Sequence, residues 1–87
     1  MNTFKLIISS PDGNIFDGEV FKFDVRGTEG ELAVMAGHIP FVSAVVPCNC
    51  SIELADETIR KAKCDGGLLT VAADKTTFFS GTFKFDE

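Results

Sequence analysis

Nowhere in this chain do apolar residues recur at i, i+3, i+4 and i+7 over three turns, so no amphipathic helix is specified. Apolar and polar residues alternate instead with a period of two, in short runs. Phe4, Leu6 and Ile8 alternate with Lys5 and Ile7, and Phe21, Phe23 and Val25 with Lys22 and Asp24. Ile52 and Leu54 point opposite to Ser51 and Glu53, and over 58–64 a solvated basic side carries Lys61 and Lys63. Residues 41–46 form a β-branched run that Pro47 stops, and 68–72 is too uniformly apolar for a sheet edge. Further short runs occupy 76–79 and 82–85. Turn formers separate them: Ser10-Pro11-Asp12-Gly13-Asn14, Ala55-Asp56-Glu57, Asp65-Gly66-Gly67 and Asp74-Lys75, with a further break expected at Phe16-Asp17-Gly18-Glu19. Such spacing predicts an all-β sandwich or barrel with essentially no helix.

At 87 residues the chain has room for one core, so 1–87 is expected to be a single domain. A net charge of −5 argues against nucleic acid as a partner and suits either a basic protein surface or simple solubility. The first ten residues lack the apolar core of a signal peptide, and no run approaches the roughly 20 apolar residues that cross a bilayer. Membrane contact is therefore expected only through another protein. Cys48, Cys50 and Cys64 are odd in number, a poor disulfide framework that fits a reducing compartment.

The stretch 27–40 concentrates the unusual residues. A short apolar run at 32–36 is bracketed by Gly27, Gly30 and Gly37, each able to take positive φ, and Pro40 follows the second bracket. Glu29 and Glu31 at its front and His38 at its back are expected on loops, where binding residues concentrate. Catalytic chemistry finds little support. Gly27 and Gly30 are followed by no Gly-Lys-Ser or Gly-Lys-Thr, so no phosphate loop is specified. Cys48 and Cys50 share a strand face, but with Cys64 distant and one histidine they do not reach zinc spacing, and free thiols with no metal or cofactor are expected. A lone His38 in a glycine turn suits a polar loop contact better than a general base. The carboxylate pair suits a solvated loop or a basic partner. A free-standing β-sandwich module binding a ligand or protein is the alternative; a carbohydrate ligand is disfavoured because the chain has neither Trp nor Tyr to stack it.

Three blocks carry a family resemblance: Phe16-x-Gly18-x-Val20, then Val25-x-Gly27-x-x-Gly30-Glu31-x-x-Val34-x-x-Gly37-His38-x-Pro40, and Gly66-Gly67-x-Leu69-x-Val71. In this order and spacing the chain resembles the N-terminal β-sandwich domain of the epsilon subunit of F-type ATP synthases (delta in mitochondria). The resemblance implies a flattened two-sheet β-sandwich and a non-catalytic subunit of the central stalk. It implies binding to the gamma subunit and to the polar loops of the c-ring, coupling proton transport to ATP synthesis at the cytoplasmic face of a bacterial inner membrane. Carried onto matching positions, Glu29, Glu31 and His38 are implied to meet the c-ring, and Phe41, Val42 and Ser43 the gamma subunit. Gly27, Gly30, Gly37, Pro40, Gly66 and Gly67 are implied to form turns. This sequence departs from the family pattern with Ala36 before Gly37-His38 and with the bulkier pair Phe41-Val42 after Pro40. It also ends at Glu87 where many members continue into a regulatory helical hairpin, so a short form without hairpin inhibition is expected.

Overall fold

The computed structural model describes residues 2–86; Met1 and Glu87, the outermost residues of the expected domain, lie outside the described residues. Nine strands and no helix occur among the described residues: β1 (Phe4–Ser10), β2 (Gly13–Gly27), β3 (Gly30–Met35), β4 (Phe41–Val45), β5 (Cys48–Leu54), β6 (Ile59–Cys64), β7 (Gly67–Val71), β8 (Thr76–Phe79) and β9 (Lys84–Phe85). Their hydrogen bonding follows the order β1-β8-β7-β4-β2-β5-β6-β9, with β3 on β2 and β1 also on β2. The β1–β8 pair is parallel and the other pairs are antiparallel.

β2 organises this arrangement. Its first half pairs with β1, from Gly13 opposite Ser10 to Val20 opposite Phe4. Its second half pairs with β3 and β5. One layer is therefore β2-β1-β8-β7-β4 and the other β3-β2-β5-β6-β9, and β2 belongs to both. A straight strand of 15 residues would run about 46 Å at 3.3 Å per residue. The longest extent of the molecule is 30 Å. Phe21 has no partner in the β2–β5 register, which passes from Val20 to Lys22, and this bulge supplies the bend.

Two expectations fail on β2. The break at Phe16-Asp17-Gly18-Glu19 does not occur, because Phe16, Asp17, Gly18 and Glu19 pair in unbroken register with Ile8, Ile7, Leu6 and Lys5. The Phe16 ring lies over Gly18, 3.5 Å from where a Cβ would stand, and covers the bare strand position. Lys5 and Asp17 form an ion pair at 2.6 Å across the same ladder. The alternation that aligned Phe21 with Phe23 also fails. The bulge turns Phe21 out of the core and puts Val20 in its place beside Phe23.

The core lies between the layers. Leu6 and Ile8 of β1, Leu69 and Val71 of β7 and Phe78 of β8 meet Phe23 and Val25 of β2, Val34 of β3 and Ile52 of β5. Phe23 and Phe78 touch across the interior with ring centroids 5.7 Å apart. Phe83 stands edge-on to Phe78 at 6.0 Å, Phe85 to Phe83 at 5.2 Å, and Arg60 covers Phe85 at 3.8 Å. Buried Ser80 is satisfied: its hydroxyl donates to the Gly66 carbonyl at 2.8 Å. The strand expected at 68–72 is indeed internal, flanked by β4 and β8.

Candidate functional site

The glycines around the 27–40 stretch divide by what they do. Gly30 and Gly37 take φ of +126° and +84° and need the freedom glycine has there. Gly27 does not, contrary to expectation: it is extended, and a Cβ would meet Leu32 Cδ1 at 3.0 Å and Ser43 Oγ at 3.2 Å. Its lack of a side chain lets β3 and β4 close around the end of β2, where Gly27 pairs with both Gly30 and Val45. Thr28 and Glu29 form the tight turn between β2 and β3.

Glu29 is exposed on that turn and joins no ion pair among the described residues. Glu31 is not on a loop, contrary to expectation. The hairpin is short enough that Glu31 already lies in β3, opposite Arg26, with its carboxylate 3.3 Å from the guanidinium. Both partners are largely solvent-exposed, so the pair contributes at most about 1 kcal/mol.

A cleft of about 310 Å³ brings the acidic turn and the next strand together, with Glu29 and Glu31 on one wall and Phe41, Val42 and Ser43 on the other. The two residue sets singled out in sequence thus share one site. Alternation on β4 splits the second set: Val42 is 64% exposed on the outer face, whereas Phe41 packs against the core. His38 is not in this cleft. It lies on the 36–40 loop, its ring 5.1 Å from that of Phe41, its Nδ1 3.3 Å from the Ile39 carbonyl oxygen, and it lines a separate hollow with Met35 and Thr76. The acidic pair and the histidine therefore do not form one cluster, although Phe41 links their surroundings.

Sequence reasoning missed the outer face of β4, β7 and β8. Ala44, Leu68 and Phe79 stand on one rung across the three strands, with Val42 two residues along. Leu68 and Phe79 are each about half exposed. The signal was present in the run 68–72, which is too apolar for a strand with one wet face, but period-two logic gave no indication of which strands lie beside it.

The thiols also depart from expectation. Cys64 is not distant: it sits directly opposite Cys48 on the β5–β6 ladder, and the three sulfurs lie within 4.8 Å of one another. Burial pushes the Cys50 and Cys64 thiols above their usual range, partly offset at Cys64 by a hydrogen bond from the Gly66 backbone.

No helix among the described residues is long and apolar enough to cross a membrane. The family model of the ATP synthase delta/epsilon chain β-sandwich domain matches residues 3–85. The ATP synthase epsilon chain of Wolbachia pipientis subsp. Culex pipiens is 39% identical over 84 residues, covering 97% of this chain and 74% of the relative. The sodium-ion-specific ATP synthase epsilon chain of Acetobacterium woodii is 32% identical over 98% of this chain but only 64% of its own length. Among solved structures, a chain of the Euglena gracilis mitochondrial ATP synthase superposes with a TM-score of 0.89 at 21% identity, over 95% of this chain and 53% of that one. One from the central stalk and c-ring of the Tetrahymena thermophila enzyme gives 0.75 at 16%, over 94% and 66%. These two show a shared fold. Together with the strand order built around β2 and the near-complete family match, the epsilon relatives establish that this chain belongs to the β-sandwich domain family of ATP synthase delta and epsilon chains, a non-catalytic subunit type.

Proposed function

We propose that the chain works as a central-stalk subunit of an F-type ATP synthase, held on the gamma subunit and meeting the polar loops of the c-ring. In this role it helps couple ion transport to ATP synthesis from the cytoplasmic face of a bacterial inner membrane. The observation that carries this reading is the cleft joining Glu29 and Glu31 to Phe41, Val42 and Ser43. It places an acidic rim and the edge of an apolar face side by side, which suits a domain that bridges two different partners. The exposed rung of Ala44, Leu68 and Phe79 offers gamma an apolar seat next to Val42. Glu29 offers a basic ring loop a carboxylate that joins no ion pair among the described residues, and Glu31 a second one already shared with Arg26. His38 belongs with the rim of the separate hollow, so its contact to the ring is secondary to that of the carboxylates.

Charge reversal at the turn tests the proposal. In the assembled enzyme, Glu29→Lys should lower proton or sodium pumping while ATP hydrolysis stays near normal and the isolated domain melts as before. Placing a cation opposite a basic loop converts attraction into repulsion. In parallel, Phe79→Glu should weaken capture by the gamma subunit without disturbing the ring contact. Unchanged pumping in the first variant and unchanged gamma binding in the second would overturn the assignment of these surfaces.

A further inference from the structure

We propose that Cys48, Cys50 and Cys64 form a three-thiolate site for a soft monovalent d10 cation of the copper(I) class. The strand pairing builds the site. Cys48 and Cys50 are two residues apart on β5 and share a face, and β6 brings Cys64 opposite Cys48. All three sulfurs lie within 4.8 Å of one another, with Cys50 and Cys64 at 3.7 Å. A metal held in a plane by three sulfurs at about 2.3 Å sets them about 4.0 Å apart, so shifts of under about 1 Å close the site. These are the chain's only cysteines, and all of them converge.

The ligand set selects the ion. Oxygen-seeking cations are excluded by an all-sulfur set, and soft thiolates favour copper(I) and zinc. Structural zinc completes a tetrahedron, yet among the described residues no fourth His, Cys, Asp or Glu joins the group. Three-coordinate copper(I) needs none. Access is also provided: Cys50 and Cys64 are buried, whereas Cys48 is half-buried and lines an open cleft with Asn49. Each thiol that ligates gives its proton to solvent, and the copper, already monovalent, changes no oxidation state.

The test is an anaerobic titration of the reduced, metal-free chain with copper(I) supplied as its acetonitrile complex, in competition with bathocuproine disulfonate. One equivalent should be withdrawn from the chelator, a thiolate-to-copper band should appear in the near ultraviolet, and X-ray absorption should show three sulfurs at about 2.3 Å. Cys48→Ser loses one ligand at a half-buried position, so it should keep its fold by circular dichroism yet bind more than about tenfold more weakly. Cys50→Ser is the deeper substitution and should abolish stoichiometric binding. Failure of the parent chain to compete, undiminished binding in folded Cys48→Ser, or equal retention of zinc at one equivalent would overturn the site. So would a reduced chain that takes up no copper yet readily forms a Cys50–Cys64 disulfide with a peroxide oxidant.

Discussion

Gly67 is the residue at which a single methyl group would matter most. A Cβ there would stand inside contact distance of the Phe79 carbonyl oxygen and 2.9 Å from Phe78 Cε1, both fixed by the β7–β8 ladder. Gly67→Ala should therefore cost about 1–3 kcal/mol, read as a lowered melting temperature, whereas Gly81→Ala, with open space around it, should cost far less. The sequence marked the Gly66-Gly67 pair as a turn, and Gly66 does take φ of +114°. What Gly67 needs is room for a neighbouring strand, and that depends on a pairing twelve residues away, which local composition does not encode. The thiols carry a second residue-scale prediction. In the unfolded chain they ionise near about pH 8.5, while Cys50 and Cys64 stay protonated well above that in the fold. The unfolded state then holds fewer protons, so stability falls as pH rises above the ordinary thiol value. Melts between about pH 8 and 9.5 should show this decline, and Cys50→Ala should flatten it even though it lowers the starting stability. An equal slope in both proteins would assign the decline to other groups.

At the level of single elements, the β5–β6 hairpin turns at Ala55-Asp56-Glu57 as expected, but with a glutamate at a position that favours glycine. Glu57 donates its backbone N–H to the Leu54 carbonyl at 3.0 Å and sits at φ +72°, the left-handed position usually given to glycine in three-residue loops. The Asp56 carboxylate accepts from the Thr58 backbone at 3.0 Å, which holds its pKa below the ordinary carboxylate value. Glu57→Gly removes the steric cost and should stabilise the domain by about 0.5–1 kcal/mol in denaturant unfolding, with no change in fold. A loss of stability would mean that the added freedom of the unfolded chain outweighs the relieved strain. Most elements were legible because alternation and turn formers agree: β1, β4, β7 and β8 lie where period two and Pro47 or Asp74-Lys75 put them. β2 was not. Asp17-Gly18 has the composition of a break, and only the ladder to β1 and the covering Phe16 ring keep it extended. The acidic turn was legible as a place, but not the early start of β3 that carries Glu31 into the sheet. The thiol cluster was illegible for the same reason: Cys48 and Cys64 meet through strand register, which no local window contains.

For the molecule as a whole, β2 decides how the domain unfolds. Because both layers include it, neither can peel away without disturbing the strand that anchors the other, and the buried Phe23–Phe78 contact ties their faces together. Denaturant unfolding should be a single transition, coincident by far-ultraviolet circular dichroism and by hydrogen exchange, with the β2 amides at 20–25 among the slowest to exchange. Two separated transitions would show that the layers are independent. The shared strand also has a mechanical consequence. The apolar face of β4, β7 and β8 belongs to the layer that the first half of β2 enters through β1, and the acidic turn at Glu29 hangs from the other end of β2, where Gly27 is also tied to Val45 of β4. Part of any pull between them is carried lengthwise by covalent backbone, in parallel with the rungs of hydrogen bonds that would otherwise have to shear. Such a tie stretches little, so a torque applied at one surface should reach the other with little lag or stored twist.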